Sequence, residues 1–221
     1  AAPDAGMSIA TWTGTGSAGA TVGHGLGAVP DVMIVKKRAG GTAYGWAVWH
    51  KDANDNSTDF LQLNSTAAQS DQDVWNDTNP TSTVLTLGAN NYTNYPSGAT
   101  YVGYFFKGID GYSKFGSYVG NANADGTFVY TGFRPAWVMI KNTADVTHWA
   151  IWDSKRIAFN VNTTALYPSS SDADQTGTSL YVDFVSNGFK WRASHNSVNG
   201  SSDTFIYLAF AEAPFKYANA R

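Results

Sequence analysis

A loop after residue 51 concentrates oxygen donors of the kind that bind hard metal ions. Asp52, Asn54, Asp55, Asn56 and Asp59 place five carboxylate or amide groups within eight residues. Ca²⁺ prefers such ligands, although the bidentate Glu of an EF-hand is missing. The spacing therefore predicts a calcium site formed by Asp52, Asn54, Asn56 and Asp59. The alternative is a plain turn, for which Asn and Asp are common residues.

Four aromatic residues lie in or near polar, turn-rich segments: Trp75, Tyr92, Tyr95 and Trp191. Tyr and Trp present a flat apolar ring with a polar edge, which suits stacking on a sugar ring. These four are the predicted ligand-binding residues, provided that the loops expose them. The alternative is that they fill the protein core.

Acid–base chemistry has few candidates in this chain. Glycoside hydrolysis needs two carboxyl groups, one with a raised pKa, and Glu212 is the only Glu. Asp153 and Asp183 lie in strand-like contexts. Asp153 is followed three residues later by Arg156, which favours a surface ion pair, and the alternating pattern around Asp183 predicts that it points outward from its strand. The sequence therefore predicts no enzyme, with an Asp-based polysaccharide depolymerase as an alternative.

The elements that would position these residues occur twice along the chain. Four pairs of similar segments, called sequence echoes below, occur in the same order. They are Pro30–Lys36 with Pro135–Lys141, Trp46–Trp49 with Trp149–Trp152, Leu63–Ala67 with Val161–Ala165, and Thr100–Phe106 with Thr204–Phe210. Their offsets of 105, 103, 98 and 104 residues keep one order along the chain. This pattern predicts two copies of a unit of roughly a hundred residues.

Composition indicates strands rather than helices. Gly, Ser, Thr and Asn are abundant, aromatic residues make up 14% and the chain has eight Trp, all of which favour turns and strands. Each copy offers seven or eight short apolar runs with turn signals between them, as in a sandwich or jelly roll. We predict an all-β protein with two tandem, pseudo-repeated β-sandwich modules of the jelly-roll or lectin-like kind.

The predicted organisation is a connector at residues 1–8, a first repeat at residues 9–110 and a second at residues 111–221. Asp31–Lys37 is predicted to be a central strand, because its apolar residues run without strict alternation. Trp149–Trp152 is predicted to be a strand with Ala150 and Trp152 on one face and Trp149 and Ile151 on the other.

Charge and composition exclude several kinds of partner. The net charge is −3 and the 14 Lys and Arg are scattered, which is a poor match for nucleic acid or an anionic membrane. The chain has no Cys, so thiolate zinc sites are excluded. Since the first residue is Ala rather than Met, we expect a processed product or a piece of a longer protein.

The second copy resembles a module of uncharacterised structural proteins from marine tailed phages and related prophages. The resemblance lies in Gly116-Ser-Tyr-Val-Gly-Asn121, Gly132-Phe-Arg-Pro-Ala-Trp-Val-Met-Ile-Lys141, Trp149-Ala-Ile-Trp-Asp-Ser-Lys-Arg156, Ser186-Asn-Gly-Phe-Lys190 and Ile206-Tyr-Leu-Ala-Phe-Ala-Glu212. It implies a virion β-sandwich in a tail fibre, spike or surface appendage, with lectin-like folds as the nearest analogy. It supplies no catalytic residues.

Together these patterns predict a non-enzymatic protein on the phage particle surface that adheres to host-surface glycans. The predicted partners are other virion proteins, further copies of the chain and host polysaccharide, without nucleic acid or membrane. The alternative is a capsid or tail decoration protein with a purely structural role.

Overall fold

The computed structural model describes residues 1–53, 59–177 and 179–213, and almost all of its regular structure is β-strand. The chain divides into two compact units, Ala1–Lys107 (unit 1) and Gly108–Arg221 (unit 2). The predicted all-β fold class is confirmed.

Within the described part of unit 1, a short 3₁₀ turn at Pro3–Ala5 is followed by eight strands. They are β1 Met7–Thr13, β2 Ala20–Gly23, β3 Val32–Ala39, β4 Trp46–His50, β5 Asp59–Gln62, β6 Ser70–Asp71, β7 Val84–Leu87 and β8 Thr100–Phe106. The main sheet has the order β1-β8-β3-β4-β5-β6, and β2 pairs with β7 in a second sheet. The segment predicted as a connector thus contributes Met7 and Ser8 to β1, where Ser8 is buried.

The described residues of unit 2 form nine strands and one short helix. They are β9 Ser113–Val119, β10 Phe128–Tyr130, β11 Pro135–Asn142, β12 Ala150–Asp153, β13 Thr164–Ala165, β14 Gln175–Thr176, β15 Val182–Val185, β16 Gly188–Trp191, α1 Asn196–Asn199 and β17 Thr204–Ala211. A four-stranded sheet has the order β12-β11-β17-β9, and a three-stranded sheet the order β10-β16-β15.

Each unit buries a core between its two main layers. In unit 1, Leu85 and Leu87 of β7 pack in one cluster with Met33, Trp49 and Phe105 of the larger sheet. In unit 2, side chains of the three-stranded sheet share a cluster with those of β11 and β17: Val129, Phe184, Phe189 and Trp191 with Val138, Ile140 and Tyr207. Two sheets enclosing one apolar layer is the arrangement of a β-sandwich.

The main sheets of the two units have the same strand order and the same register. The order β1-β8-β3-β4 corresponds to β9-β17-β11-β12. Lys36 lies opposite Val102, and Lys141 lies opposite Ile206. Further matched pairs are Val35–Ala47 with Ile140–Ala150, and Trp12–Tyr101 with Tyr118–Phe205. Residues at the same place in this matched register are called equivalent below. In the smaller sheets, the facing pair Val22 and Leu85 of unit 1 is matched with Val129 and Phe189 of unit 2.

The register corrects one of the four sequence echoes. Leu61 lies opposite Val48, and Leu166 lies opposite Ile151, so Leu61 and Leu166 are equivalent. The offset at this point is therefore 105 residues, and matching Leu63 with Val161 was wrong.

A buried asparagine fixes the first loop of unit 1. The fully buried Asn94 accepts a hydrogen bond from the Thr15 N–H at its Oδ1 (2.8 Å), and its side-chain amide donates to the Ser17 carbonyl (2.6 Å). Its own carbonyl accepts from the Gly16 N–H (3.0 Å). We call this set of bonds the asparagine clamp.

Unit 2 contains the same clamp around Asn199, also fully buried. Its Oδ1 accepts from the Asn121 N–H (3.0 Å), its amide donates to the Asn123 carbonyl (2.9 Å), and its carbonyl accepts from the Ala122 N–H (2.8 Å). The middle loop residue is left-handed in both units, with φ of 77° at Gly16 and 50° at Ala122. Unit 2 thus keeps a backbone conformation that favours glycine without having one there.

Candidate functional site

The three-stranded sheet of unit 2 turns one side to the core and the other outward. Val129, Phe189 and Phe184 lie opposite one another along the three strands and are buried in the core. Because side chains alternate along a strand, the neighbouring positions point to the other side. These outward positions include Phe128, Tyr130 and Lys190, and we call this surface the aromatic face.

Two aromatic rings are exposed on the aromatic face. Phe128 is 44% exposed and Tyr130 is 58% exposed. Their positions on one strand separate them by about 7 Å. The Lys114 ammonium lies 4.9 Å from the centre of the Tyr130 ring and donates to the Tyr130 carbonyl (2.9 Å). The surface therefore offers two neighbouring rings, one of them held by a cation–π contact.

A glycine keeps the surface between the rings low. Gly188 lies opposite Tyr130, and a Cβ there would come within 2.1 Å of the Val129 carbonyl oxygen and 3.0 Å of Phe128 Cε2. Any other residue would force the strand or the Phe128 ring to move. The glycine therefore allows Phe128 and the Val129 backbone to approach β16 closely.

Charged groups continue the aromatic face along β16. Lys190 pairs with Asp125 (2.7 Å), while Arg192 contacts Asp125 through Nη1 (3.1 Å) and Asp183 through Nε (2.6 Å). Lys190 lowers the pKa of Asp125, and the hydrogen bond to Asp183 raises the pKa of Arg192. The two cations and two anions are balanced, so the row is polar without a strong net charge.

A surface cavity of about 270 Å³ opens beside Arg192. Its lining includes the hydroxyl groups of Ser179, Tyr181 and Ser194 and the imidazole of His195. The His195 Nδ1 accepts from the Ser197 N–H (3.1 Å), which leaves Nε2 as the ring nitrogen with a proton in the neutral form. Such a lining can exchange several hydrogen bonds with a small polyhydroxylated ligand.

The two aspartates considered for hydrolysis are both held by arginines. Asp183 is bound to Arg192, and Asp153 is bound to Arg156 (2.9 Å). Burial raises the pKa of Asp153, but hydrogen bonds from the Arg156 and Lys155 backbones and the charge of Arg156 bring the pKa below its usual value. A general acid requires the opposite shift, which Asp153 does not have.

The expected exposure of Trp75 and Trp191 is wrong. Trp75 is 1% exposed in the core of unit 1, and Trp191 has no exposed surface in the core of unit 2. Trp191 ends β16 on the same side as the buried Phe189, two residues earlier, and packs edge-on against Trp152 (5.1 Å between ring centres). Rings without exposed faces cannot stack on a ligand.

The two predicted tyrosines are more accessible. Tyr95 is 48% exposed, and its carbonyl accepts from the Tyr101 hydroxyl (2.7 Å). Tyr92 is half-buried, and its hydroxyl donates to Gln62 Oε1 (3.0 Å). Both belong to unit 1, whereas Trp191 belongs to unit 2, so the four predicted aromatics divide between the units.

The predicted calcium loop lies partly outside the described residues, which do not include Asn54 and Asn56. Asp52 is exposed, and Asp59 Oδ2 accepts from Gln69 Nε2 (2.6 Å). Within the described ranges, no group of three or more His, Asp or Glu side chains is placed to hold a metal ion. The calcium site remains a prediction.

Sequence reasoning missed Phe128 and Tyr130 as site residues. The alternation Phe128-Val129-Tyr130 already places the two rings on one side of any strand formed there. The missing information was which side faces the core, because a Val on one face and two aromatics on the other fit either orientation.

A family model described as "Domain of unknown function (DUF7483)" matches residues 1–214. The chain belongs to this family. Comparison with curated proteins and with solved structures gave no match.

The family match runs through both units. The match therefore covers unit 1 and most of unit 2. Across the described residues, no helix combines the length and apolar character needed to cross a bilayer.

Proposed function

We propose that this chain is a non-catalytic glycan-binding module and that the aromatic face, with the cavity beside Arg192, is its binding surface. The observation that carries this proposal is the exposure of Phe128 and Tyr130 side by side on a sheet whose opposite side is core. Two ring faces above a glycine, followed by charged and hydroxyl groups, combine apolar stacking with hydrogen bonding.

Comparison with unit 1 supports a specific role for this surface. The positions equivalent to Phe128 and Tyr130 are Thr21 and Gly23, on the strand that pairs with β7. A sandwich of this kind therefore does not need aromatic side chains there for folding. Exposed rings that folding does not require are most simply explained by contact with another molecule.

The proposed setting is the surface of a tailed-phage particle, where the chain would contact other virion proteins and bind host polysaccharide, as a homo-oligomer. Its support is the sequence resemblance described above. A charge-balanced row at Lys190, Arg192, Asp125 and Asp183 is suited to hydroxyl-rich ligands more than to strongly anionic ones.

The test is a glycan array followed by titration with the oligosaccharide that gives the strongest signal. Phe128→Ala and Tyr130→Ala each remove one ring, and we expect each to weaken binding about tenfold or more, equivalent to ~1.4 kcal/mol. Phe159→Ala is the matched control, because Phe159 is also an exposed phenylalanine of unit 2 (74%). Equal affinity of the Phe128 and Phe159 variants would overturn the assignment.

The decoration role is the second candidate, and a different aspect of the same surface favours it. Val119, at the end of edge strand β9, is 56% exposed, and its carbonyl accepts from the Thr127 hydroxyl next to Phe128. An apolar group of this kind is also suited to a protein neighbour. In that case Phe128→Ala would reduce self-association or co-assembly in sedimentation velocity experiments, and no glycan would bind.

A further inference from the structure

We propose that unit 1 carries a second sugar-binding site, formed by Tyr44, Tyr92 and Asn64 around Gly45. This inference rests on the proposed glycan-binding function but concerns a different place in the fold. It assigns to the chain two binding sites at non-equivalent positions, one in each unit.

Gly45 makes the floor of this site. A Cβ at Gly45 would lie 2.6 Å from Asn64 Oδ1 and 3.0 Å from Gln62 Oε1. Both side-chain amides therefore lie directly against the backbone just before β4, in space that any larger residue would fill. The glycine is what allows polar groups to line a shallow surface here.

The amide of Asn64 is oriented for binding. Its Oδ1 accepts from the Trp46 N–H (2.8 Å), which fixes the plane of the group. The residue itself is exposed, and Nδ2 is the atom of this amide that carries its two N–H donors. A fixed donor pair of this kind is suited to the hydroxyl oxygens of a sugar.

Two tyrosines supply the stacking surface. Tyr44 meets Tyr92 edge-on (5.2 Å between ring centres), and Tyr92 packs on Phe60 (4.9 Å). The Tyr92 hydroxyl is held by Gln62, as described above. Both tyrosines are half-buried, so each is fixed by neighbours while part of the ring remains accessible. Rigid rings lose little entropy on binding.

The equivalent place in unit 2 is closed by its own side chains. His148, equivalent to Gly45, stacks on Tyr167, equivalent to Gln62, with 4.4 Å between ring centres and an angle of 5°. His148 Nδ1 also lies 2.9 Å from the Ser169 hydroxyl, at the position of Asn64. Unit 1 has the amides of Asn64 and Gln62 against Gly45 where unit 2 has this stack, so the site is particular to unit 1.

The expected ligand is a sugar unit recognised through ring stacking and hydroxyl groups. Two sites on one chain would raise the apparent affinity for a polysaccharide that reaches both, because the second contact becomes intramolecular. The two sites present different groups to a ligand. The unit 1 site has an amide and two tyrosine rings, and the unit 2 site has an arginine, several hydroxyl groups and a phenylalanine ring.

The experiment measures stoichiometry by isothermal titration of the whole chain with the free trisaccharide that binds best in a panel of neutral and uronic trisaccharides. We expect two sites per chain. Asn64→Ala and Tyr44→Ala should each leave one site, as should Phe128→Ala, and the double variant Asn64→Ala/Phe128→Ala should leave none. Gln69→Ala, a half-buried amide elsewhere in unit 1, is the matched control and should keep both sites.

A second readout does not depend on the variants folding. The Trp46 amide proton, bonded to Asn64 Oδ1, should shift in NMR spectra of the unaltered chain as the trisaccharide is added. A different result would overturn the unit 1 site and leave the proposed function intact. In that result the titration gives one site per chain, Phe128→Ala abolishes it, and the Trp46 amide proton does not shift. No saturable binding of any trisaccharide would overturn both.

Discussion

Unit 1 and unit 2 agree in their interiors and differ on their surfaces. The asparagine clamps at Asn94 and Asn199 make the same three bonds to their first loops. The residues that precede the two asparagines, Thr93 and Val198, also have matched roles. The Thr93 carbonyl accepts from Trp12 Nε1 (2.8 Å), and the Val198 carbonyl accepts from the Tyr118 hydroxyl (2.6 Å).

The stacked rings beneath the clamps repeat as well. Trp12 stacks on Tyr101 with an interplanar angle of 14°, and Tyr118 stacks on Phe205 with an angle of 8°. The two pairs reproduce one stacked geometry with different residue types, Trp on Tyr in unit 1 and Tyr on Phe in unit 2.

The exposed surfaces of the two units, in contrast to their interiors, differ in their side chains. Along the outer sheet, Thr21, Gly23, Thr86 and Gly88 of unit 1 are replaced in unit 2 by Phe128, Tyr130, Lys190 and Arg192. At the start of β4 the contrast runs the other way, because unit 1 has Gly45 where unit 2 has the His148–Tyr167 stack. The shared interior fixes the scaffold, and each unit is left free to form its own surface.

The largest expected effect comes from removing Trp191. Trp191→Ala empties a fully buried position, so we expect a loss of about 3–5 kcal/mol in the free energy of unfolding. Leu87→Ala, at the equivalent buried position of unit 1, should cost about 2–4 kcal/mol. Urea denaturation followed by tryptophan fluorescence measures both. If Trp191→Ala left the free energy of unfolding unchanged but abolished glycan binding, Trp191 would have to be a binding residue and not a core residue.

The asparagine clamps should come next in size and should be alike. Asn94→Ala and Asn199→Ala each leave buried backbone groups without a partner, so we expect a loss of about 2–3 kcal/mol in each case. Thermal unfolding of the two variants is the measurement. Asn91→Ala, a half-buried asparagine of the same loop as Asn94, is the control and should change stability by under about 0.5 kcal/mol. A clamp variant as stable as this control would contradict the assigned role.

The repeated lysines should differ in their response to pH. Lys141 is fully buried, donates to the carbonyls of Asn142 (2.7 Å) and Asp145 (2.9 Å), and burial lowers its pKa to about 8, against the opposing charge of Asp145. Lys36, its equivalent, is half-buried, lies over the Trp46 ring at 6.0 Å and donates to the Tyr44 carbonyl.

Because the unfolded pKa of lysine is about 10.4, the unfolded chain binds more protons than the folded chain between pH 8 and 10. The free energy of unfolding should therefore increase as the pH rises from 8 to 9.5, by about 2 kcal/mol. Lys141→Met should abolish this increase, and Lys36→Met should retain it. Measurement by urea denaturation at both pH values checks the sign, and a decrease in the unaltered chain would contradict it.

The regular parts of the fold could be predicted from the sequence, because their pattern is local. The apolar run at Asp31–Lys37 indicated a central strand, and β3 is flanked by β8 and β4. Period-two spacing predicted Ala150 and Trp152 on one face, and both lie in the core of unit 2. Three of the four echoes fall on equivalent positions.

The candidate site was harder to predict, because it depends on which face of a strand meets the core. Nothing local distinguishes Phe128 and Tyr130 from buried aromatics, or Trp191 from an exposed one. The clamps were missed because Asn94 and Asn199 lie in polar segments that read as loops. Their burial results from bonds to residues almost eighty positions earlier, which sequence periodicity does not report.

The most direct test of the shared scaffold is amide hydrogen exchange of the unaltered chain by NMR at Thr15, Gly16, Asn121 and Ala122. All four amides lie in loops, where exchange is ordinarily fast. If the asparagine clamps act alike, all four should exchange at least about a hundredfold more slowly than in a free peptide, with similar protection in the two units. Protection in one loop, with exchange at the free-peptide rate in the other, would contradict the common scaffold.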